Sequence, residues 1–430
     1  MHSSGQNKSR KSFTDFLTHL HPPQVPSDTL RFTLSWGLGG MSATLLFLLF
    51  CTGILQLLTY EPSVSGAYAS VQAMYVQVPL GGWIRNIHHW SANLLVIVSV
   101  LHLLRVFLTG AIGPGRRLNW IIGLLLLFLI LSANFSGYLL PWDQLAFWAV
   151  TICTSMMSYI PGIGPWLMEL FRGGPQVGAA TLSNFYGLHS AFIPGSLILF
   201  MTWHFWLVRK SGGLIQIDKK SEQPTPRVPA VPDLIVREAA VGLGLVAVVL
   251  LIAVFWNAPL YEQANPGMSP NPAKAPWYFL GFQEMLLHLH PVFAICIVPV
   301  LVSAMLFALP FWKDAVLPGG NWFGGLRGRR LAIWTFTAGT LLTFLGIVLD
   351  EKLLRTGQGE GVADSITRGY LLLIIFICIL TGGYQFIVRK LKFSRAEAVM
   401  AGVILCFAVL VALTITGIWF RGPGMQLTWM

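Results

Sequence analysis

Long apolar segments alternate with short polar segments along most of this chain. Nine of the apolar segments contain about 20 residues each, which is enough for a helix to cross the hydrocarbon core of a membrane. We predict membrane-spanning helices at 34–58, 87–109, 119–140, 183–208, 236–256, 291–311, 331–349, 369–388 and 397–420. The pattern therefore predicts an all-α multi-pass membrane protein.

The connecting segments differ in character. Residues 141–182 and 257–290 are long and apolar enough to fold, and we predict short interfacial helices in both. The segment 211–235 is charged and rich in proline, which is typical of a linker. The predicted units are an N-terminal segment 1–33, a four-helix domain 34–210, the linker 211–235, a region 236–311 and additional C-terminal helices 312–430.

Composition agrees with a membrane protein and argues against a soluble one. Hydrophobic residues make up 55% of the chain and charged residues only 10%, whereas soluble domains carry about 25% charged residues. Among the five cysteines there is no CxxC or CxxCH motif. We therefore expect neither a disulfide framework nor a haem attached through that motif.

The net charge of +11 comes mainly from one side of the predicted membrane. Most Lys and Arg residues lie in the N-terminal segment and in the loops that nine spans place on the same side. This distribution predicts a cytoplasmic N-terminus and a C-terminus on the outer side. It gives no reason to expect nucleic acid as a partner.

Two of the predicted spans carry histidines at matching depths. His88 and His102 are 14 residues apart, which places them about 21 Å apart on nearly one face of a helix. His189 and His204 are 15 residues apart and also lie on nearly one face. If the two helices face each other, His88 meets His189 and His102 meets His204. We call these the first and the second histidine pair.

Two other spans carry glycines at the same interval, Gly39 with Gly53 and Gly123 with Gly137. Neutral imidazole is a favoured axial ligand of haem iron, and glycine lets a flat group approach the helix backbone closely. The pattern predicts a four-helix dihaem bundle with about five further transmembrane helices. Its two b-type haems would be held non-covalently, each by two histidines. A haem-free proton relay through the histidines is the alternative.

Other charged and histidine residues near these positions receive separate interpretations. Arg85 and Arg105 each lie three residues from a ligand histidine and are predicted to pair with the haem propionates. His89 has no counterpart on the second helix, so we assign it no ligand role. His288 and His290 end the segment 257–290 and are predicted to lie at the membrane interface.

The chain resembles the cytochrome b/b6 family in several strings: SWGLGG, GWIRNIHHWSANLLVIVSVLHLLRVFLTG, GYLLPWDQLAFWAV and MTWHFWLVRKSGG. Residues 30–212 resemble cytochrome b6, and 236–311 resemble the first part of its partner subunit IV, fused here into one chain. The resemblance implies the dihaem subunit of a quinol–cytochrome c reductase, an oxidoreductase of the bacterial cytoplasmic membrane. Its implied partners are a Rieske iron–sulfur protein and a c-type cytochrome, in a homodimeric complex. The dihaem membrane anchor of another quinone-linked dehydrogenase is the alternative.

The chain departs from that family at three places. Gly37 stands where cytochrome b6 has the cysteine that binds an extra haem. In the string Ala275-Pro276-Trp277-Tyr278, Pro276 replaces the glutamate of the PEWY motif. NPAKAPWYFLG instead resembles menaquinol–cytochrome c reductases, so menaquinone is the favoured quinone. Two of the three spans after residue 311 have no counterpart in subunit IV.

The resemblance implies a quinol-oxidising pocket on the outer side. There we predict that Tyr278 hydrogen-bonds the quinol. Glu284 is predicted to accept the proton in place of the missing glutamate, because it lies seven residues after Trp277 and shares its helix face. Asp143 begins a predicted interface helix, and we favour a capping role for it.

A quinone-reducing pocket is implied on the cytoplasmic side. Arg209, Lys210 and Asp233 are the candidates for it. An anchoring role for the two basic residues and a helix-capping role for Asp233 remain equally open.

Overall fold

A computed structural model describes residues 23–213, 215, 226–354 and 362–428 of the chain. Most of the predicted N-terminal segment 1–33 and the central part of the linker 211–235 therefore lie outside the described residues. Two short strands, β1 (Gln24–Pro26) and β2 (Arg227–Pro229), pair antiparallel. The rest of the described chain is helices joined by loops and short helical turns.

The structure is built from long helices with a few short ones between them. The first half contains α1 (Leu38–Leu57), α2 (Ala67–Val76), α3 (Gly81–Leu108), α4 (Arg117–Leu139), α5 (Gln144–Met156), α6 (Gly164–Arg172) and α7 (Ala179–Lys210). The second half contains α8 (Ile235–Phe255), α9 (Trp277–His288), α10 (Phe293–Phe311), α11 (Leu326–Lys352), α12 (Val362–Arg389) and α13 (Arg395–Trp419).

Eight of the described helices are long and apolar enough to cross a membrane: α1, α3, α4, α7, α8, α10, α11 and α13. The ninth predicted span, 369–388, lies within α12, whose apolar part is shorter. The prediction of an all-α multi-pass membrane protein is confirmed. Helices α5, α6 and α9 occur in the two long loops, as expected. Helix α2 was not predicted, because its sequence AYASVQAMYV shows no clear apolar stripe.

The first core lies among α1, α3, α4, α7 and α8. Helix α1 packs along α3, α4 packs along α7, and α8 covers α1 and α3. Each of the five helices contributes buried side chains to one cluster, for example Leu45, Leu95, Ile130, Leu197 and Val249. Because α3 and α7 belong to the same bundle, their two rows of histidines can face each other.

A second core joins the C-terminal helices to the end of the bundle that is predicted to face the cytoplasm. Phe107 and Trp120 from α3 and α4 pack there with Leu309, Ala332 and Met400 from α10, α11 and α13. Helix α13 packs against both α11 and α9. The helices after residue 311 therefore contact the bundle at one end and the short helix α9 at the other.

Helix α7 contains a π-helical turn at Leu188–Phe192, and His189 lies within it. A π-turn holds one more residue per turn than an α-helix. The turn can therefore absorb the extra residue in the interval between His189 and His204. The two histidines of α7 then match the 14-residue interval of His88 and His102 on α3.

Candidate functional site

The rings of the first histidine pair face each other across the bundle. The centroids of His88 and His189 lie 6.2 Å apart, with the ring planes at 72°. Two metal–nitrogen bonds of about 2 Å each and two ring radii of about 1 Å each span about 6 Å. The pair is therefore separated by the distance that a metal ion held between both rings requires.

The Nδ1 atoms of this pair are already engaged by protein groups. His88 Nδ1 lies 2.9 Å from the hydroxyl of Thr52, and His189 Nδ1 lies 2.9 Å from the carbonyl oxygen of Ala133. The Thr52 hydroxyl donates to the carbonyl of Leu48 at 2.7 Å, so it can accept from the imidazole N–H. These partners favour the tautomer that leaves Nε2 of each ring for a ligand.

We expect Thr52→Val to weaken haem retention at the first histidine pair. Loss of the acceptor would free the His88 ring to rotate and would make its Nε2 less basic. Losing such a supporting bond typically costs about 10-fold or more in metal affinity. Haem content and the two midpoint potentials of the purified variant measure the effect. Thr202→Val is the matched control, because the Thr202 hydroxyl bonds only the Ile198 carbonyl of its own helix in the described structure; equal loss in both variants would contradict the assignment.

Each glycine of the predicted set lies against one histidine ring. A Cβ atom on Gly53 would lie 3.3 Å from Cε1 of His88, and one on Gly137 would lie 2.5 Å from Cε1 of His189. At the second pair, Gly39 lies against His102 and Gly123 against His204, with corresponding distances of 3.2 and 3.7 Å. The glycines of α1 and α4 thus make room for the histidine rings themselves.

The second pair, His102 and His204, lies in the other half of the bundle, where each ring lies against one glycine. Arg105 is buried beside this level, and its Nε donates to the carbonyl of Leu34 at 2.8 Å. Its Nη2 is buried with no hydrogen-bond partner among the described residues. A buried, unpaired guanidinium nitrogen is costly, and a carboxylate such as a haem propionate would satisfy it.

Arg85 has a different environment. Its guanidinium donates to the carbonyls of Ala258 and Pro259 at 2.9 and 2.8 Å and to the hydroxyl of Tyr75. Arg85 also lines the cavity described next. It therefore ties the start of the segment 257–290 to α3, and its predicted role toward a propionate rests on its place in the cavity wall.

A cavity of about 980 Å³ opens beside the first histidine pair. Its wall includes His88, His189, Gly53 and Gly137 together with residues of the loops after α4 and before α9. Ligand pockets have volumes of about 300–1,000 Å³, so the space can hold a large ligand. The cavity connects the space beside the first histidine pair with the segments that are predicted to bind quinol.

The start of α9 forms part of the cavity wall. Ala275, Pro276, Trp277 and Tyr278 all line it. The indole N–H of Trp277 donates to the side-chain oxygen of Asn93 on α3 at 2.6 Å. Burial raises the pKa of Tyr278 well above its ordinary value, so its hydroxyl stays protonated and can donate a hydrogen bond.

Glu284 does not lie where the sequence argument placed it. It is fully buried at 0% exposure, is not part of the cavity wall, and its carboxylate pairs with Arg421. Burial works to raise the pKa of Glu284, but hydrogen bonds from His288 and Arg421 outweigh it and leave that pKa below its ordinary value. Glu284 shares a helix face with Trp277 but lies about 10 Å further along the axis, beyond the cavity.

His288 and His290 have different surroundings, and their predicted place at the membrane interface stays a prediction. The side chain of His288 is buried between Glu284 and Asp350. His290 packs its ring near those of Tyr159 and Phe293.

Asp143 caps α5, as predicted, because its Oδ1 accepts from the backbone N–H of Ala146 at 2.9 Å. Its Oδ2 accepts from the backbone N–H of Tyr261 at 3.2 Å, which fixes the loop before α9. The side chain also lines the cavity. Burial raises the pKa of Asp143, against the opposing effect of these N–H groups.

The candidates for a second quinone pocket lie at the ends of two helices. Arg209 and Lys210 end α7, and Asp233 precedes α8. Lys210 places its ammonium over the ring of Trp206 at 5.1 Å. Arg209 and Asp233 are half-buried at the end of the bundle that carries the second histidine pair.

Gly37 precedes α1 with a φ of 64°, in the left-handed region that favours glycine. A Cβ atom there would lie 3.0 Å from Cγ1 of Val241. A side chain at this position would crowd Val241 of α8 and strain the backbone. All five cysteines of the chain are free.

Comparison with known proteins adds three kinds of similarity. The family model described as Cytochrome b/b6/petB matches residues 25–212. Cytochrome b6 of Synechococcus elongatus is 43% identical over 198 residues, which is 46% of this chain and 89% of that protein. Cytochrome b6 of Prochlorothrix hollandica is 42% identical over 175 residues, 41% of this chain and 79% of that protein.

A solved structure titled "Hyperthermophilic respiratory Complex III" has the same fold. It superposes with a TM-score of 0.68 at 21% identity and covers 96% of this chain and 97% of that one. The similarity extends beyond the part matched by the family model, so the helices of the second half belong to the shared fold as well.

Proposed function

The chain belongs to the cytochrome b/b6 family, and on this basis we propose that it is the dihaem cytochrome b subunit of a quinol–cytochrome c reductase. Quinol would be oxidised near the first histidine pair, and electrons would cross the membrane to a quinone near the second. Bound haem supplies one-electron redox chemistry at both depths. The observation that carries the proposal is the first histidine pair, whose ring centroids lie 6.2 Å apart.

We assign His88 and His189 to the outer b-type haem and His102 and His204 to the inner one, as axial ligands of iron. The hydrogen bonds of the first pair to Thr52 and the Ala133 carbonyl support this assignment. The four paired glycines support it at both levels. The unpaired Nη2 of Arg105 supports a propionate at the inner level.

We assign the outer quinol site to the cavity. Tyr278 is placed to hydrogen-bond the quinol, since it lines the cavity and its hydroxyl remains protonated. Proton acceptance by Glu284 is not supported, because Arg421 holds its carboxylate. Among the described acidic residues, Asp143 is the one in the cavity wall, and its raised pKa favours a proton acceptor. The inner quinone site is assigned to Arg209 and Asp233, which lie at the inner ends of their helices.

The remaining assignments follow from the family and the sequence pattern. The partners would be a Rieske protein and a c-type cytochrome in a homodimeric complex of the bacterial cytoplasmic membrane. The N-terminus would face the cytoplasm and the C-terminus the outer side, in keeping with the positive-inside rule. Menaquinone is favoured by the string NPAKAPWYFLG.

A reduced-minus-oxidised spectrum of the purified chain, with pyridine haemochrome quantitation, tests the proposed function. We expect two b-type haems per chain, titrating at two potentials. In the complex purified with its Rieske partner, quinol should reduce both. No haem would refute the proposal and favour the proton relay, and one haem would mean that one histidine pair does not bind iron.

A further inference from the structure

A cluster of five ionisable side chains joins α9 to the C-terminal helices. It lies outside the cavity, further along α9, and the proposed reaction does not use it. We call it the ionic cluster; its members are Glu284 and His288 of α9, Asp350 and Glu351 at the end of α11, and Arg421 just after α13.

Arg421 is the centre of the ionic cluster. Its Nε lies 2.9 Å from Oε2 of Glu284, and its Nη2 contacts Oε1 of the same carboxylate. Its Nη1 donates to Glu351 Oε1 at 2.7 Å and to the carbonyl of Met425 at 2.9 Å. The side chains of Arg421 and Glu284 are both 0% exposed. The guanidinium thus engages three different segments of the chain at once.

His288 extends the cluster. Its Nε2 lies 3.2 Å from Glu284 Oε1, and its Nδ1 lies 2.6 Å from Asp350 Oδ2. With two fixed partners on opposite edges, the imidazole ring cannot rotate without losing one of them. The end of α9 is therefore tied to α11 as well as to the segment after α13.

Helix α9 lies close against α13. A Cβ on Gly281 would lie 2.6 Å from Oγ1 of Thr414, and one on Gly417 3.0 Å from Cβ of Leu280. The ionic cluster adds directional contacts to this packing. A bidentate pair adds directional constraint more than net stability, so it defines the rotation and register of α9.

We propose that Arg421 is a positioning residue of the outer quinol site, holding α9 in the orientation that keeps Trp277 and Tyr278 in the cavity wall. This inference rests on the proposed function of that cavity. Helix α9 has only 12 residues, so a rotation released at Glu284 displaces both rings. The proposal gives the helices after residue 311 a part in quinol oxidation.

The test uses the complete complex, with KM and kcat for a soluble menaquinol analogue, haem content and thermal stability measured together. Arg421→Gln should raise KM about tenfold or more, with both haems retained. Arg421→Lys should give a smaller increase, because one ammonium cannot replace a bidentate fork. Arg421→Lys also tests the proposal if Arg421→Gln does not fold. The double variant Glu284→Gln with Arg421→Gln should recover thermal stability, since neither group is then left as an unpaired buried charge. It should keep the raised KM, because the directional pair is still absent.

Arg395→Gln is the matched control. Arg395 pairs with Asp314 at 2.8 Å, but the two side chains are 64% and 46% exposed. Exposed pairs contribute little, so KM should not change.

The pH profile separates positioning from a purely structural role. Burial works to lower the pKa of His288, but hydrogen bonds to Asp350 and Glu284 outweigh it and leave that pKa raised. The attraction between protonated His288 and these two carboxylates is complete below the ordinary pKa of histidine. It is lost as the pH rises through the raised pKa of His288. KM should therefore rise on the alkaline side in the wild type, and this rise should flatten in His288→Gln. The charged groups around the ring and its partners are Glu284, Asp350, Arg421, Glu351 and Lys274.

Two results would overturn the proposal: wild-type KM and kcat in both Arg421 variants, or a wild-type KM in the double variant. A lower kcat at wild-type KM in Glu284→Gln alone would also overturn it and return Glu284 to the role of proton acceptor. A wild-type complex that holds two haems but does not oxidise quinol would instead refute the proposed function, before any variant is compared.

Discussion

Replacing His102 with alanine should halve the haem content of the purified chain, from two b-type haems to one. His102 and His204 form the second histidine pair, which would hold the inner haem, and a haem held by only one of them would bind more weakly. The outer haem, which His88 and His189 would hold, should remain. Pyridine haemochrome quantitation gives the count, and a potentiometric titration should show one of two components lost.

The consequence for activity should be larger than the loss of one haem suggests. Electrons from the outer site would no longer reach the inner quinone site, so transmembrane electron transfer should cease. His89→Ala is the matched control, because His89 lies on the same helix and is not a proposed ligand; the haem content of this variant should stay at two. Two haems in the His102 variant would exclude His102 as a ligand.

Gly137→Ala should remove the outer haem and leave the inner one. The added methyl group would lie 2.5 Å from Cε1 and 2.9 Å from Nδ1 of His189, so the ring must move. That ring is held by its bond to the Ala133 carbonyl, and moving it breaks the alignment with His88. Overpacking of this kind also destabilises the fold by about 1–3 kcal/mol.

The titration should lose the component that His102→Ala retains, which makes the two variants complementary. Gly244→Ala on α8 is the control, because a Cβ there meets nothing within 4 Å. A Gly137→Ala protein with two haems at wild-type potentials would show that the His189 ring can shift freely. It would then not be the rigid ligand that the proposal needs.

The histidine and glycine pattern could be found in the sequence because a ligand between helices imposes one interval on every helix that surrounds it. The interval of 14 or 15 residues can be read directly from the residue numbers on α1, α3, α4 and α7. The supporting groups could not be found in this way. Thr52 lies 36 residues from His88, and the partner of His189 is a backbone carbonyl, which any residue at position 133 would provide.

The assignment of Glu284 failed for a related reason. A helix face indicates which residues share a direction, but it does not show where the cavity ends along the axis. The pairing of Glu284 with Arg421 spans 137 residues, and an arginine after an apolar helix resembles an ordinary membrane flank. The membrane class and eight spanning helices were visible in hydropathy alone, because length and composition suffice for them.

The described contacts between the two halves of the chain do not depend on the middle of the linker. Strands β1 and β2 join residues 24–26 to 227–229, and Asn86 of α3 bonds the carbonyl of Ala253 and the side chain of Asn257. Arg85 bonds the two residues that follow, and Val249 belongs to the bundle core. None of these contacts uses residues 216–225. We expect the same surface to assemble from two separately translated polypeptides, so gene fusion or fission at this junction would change the stoichiometry of synthesis and leave the proposed electron path intact.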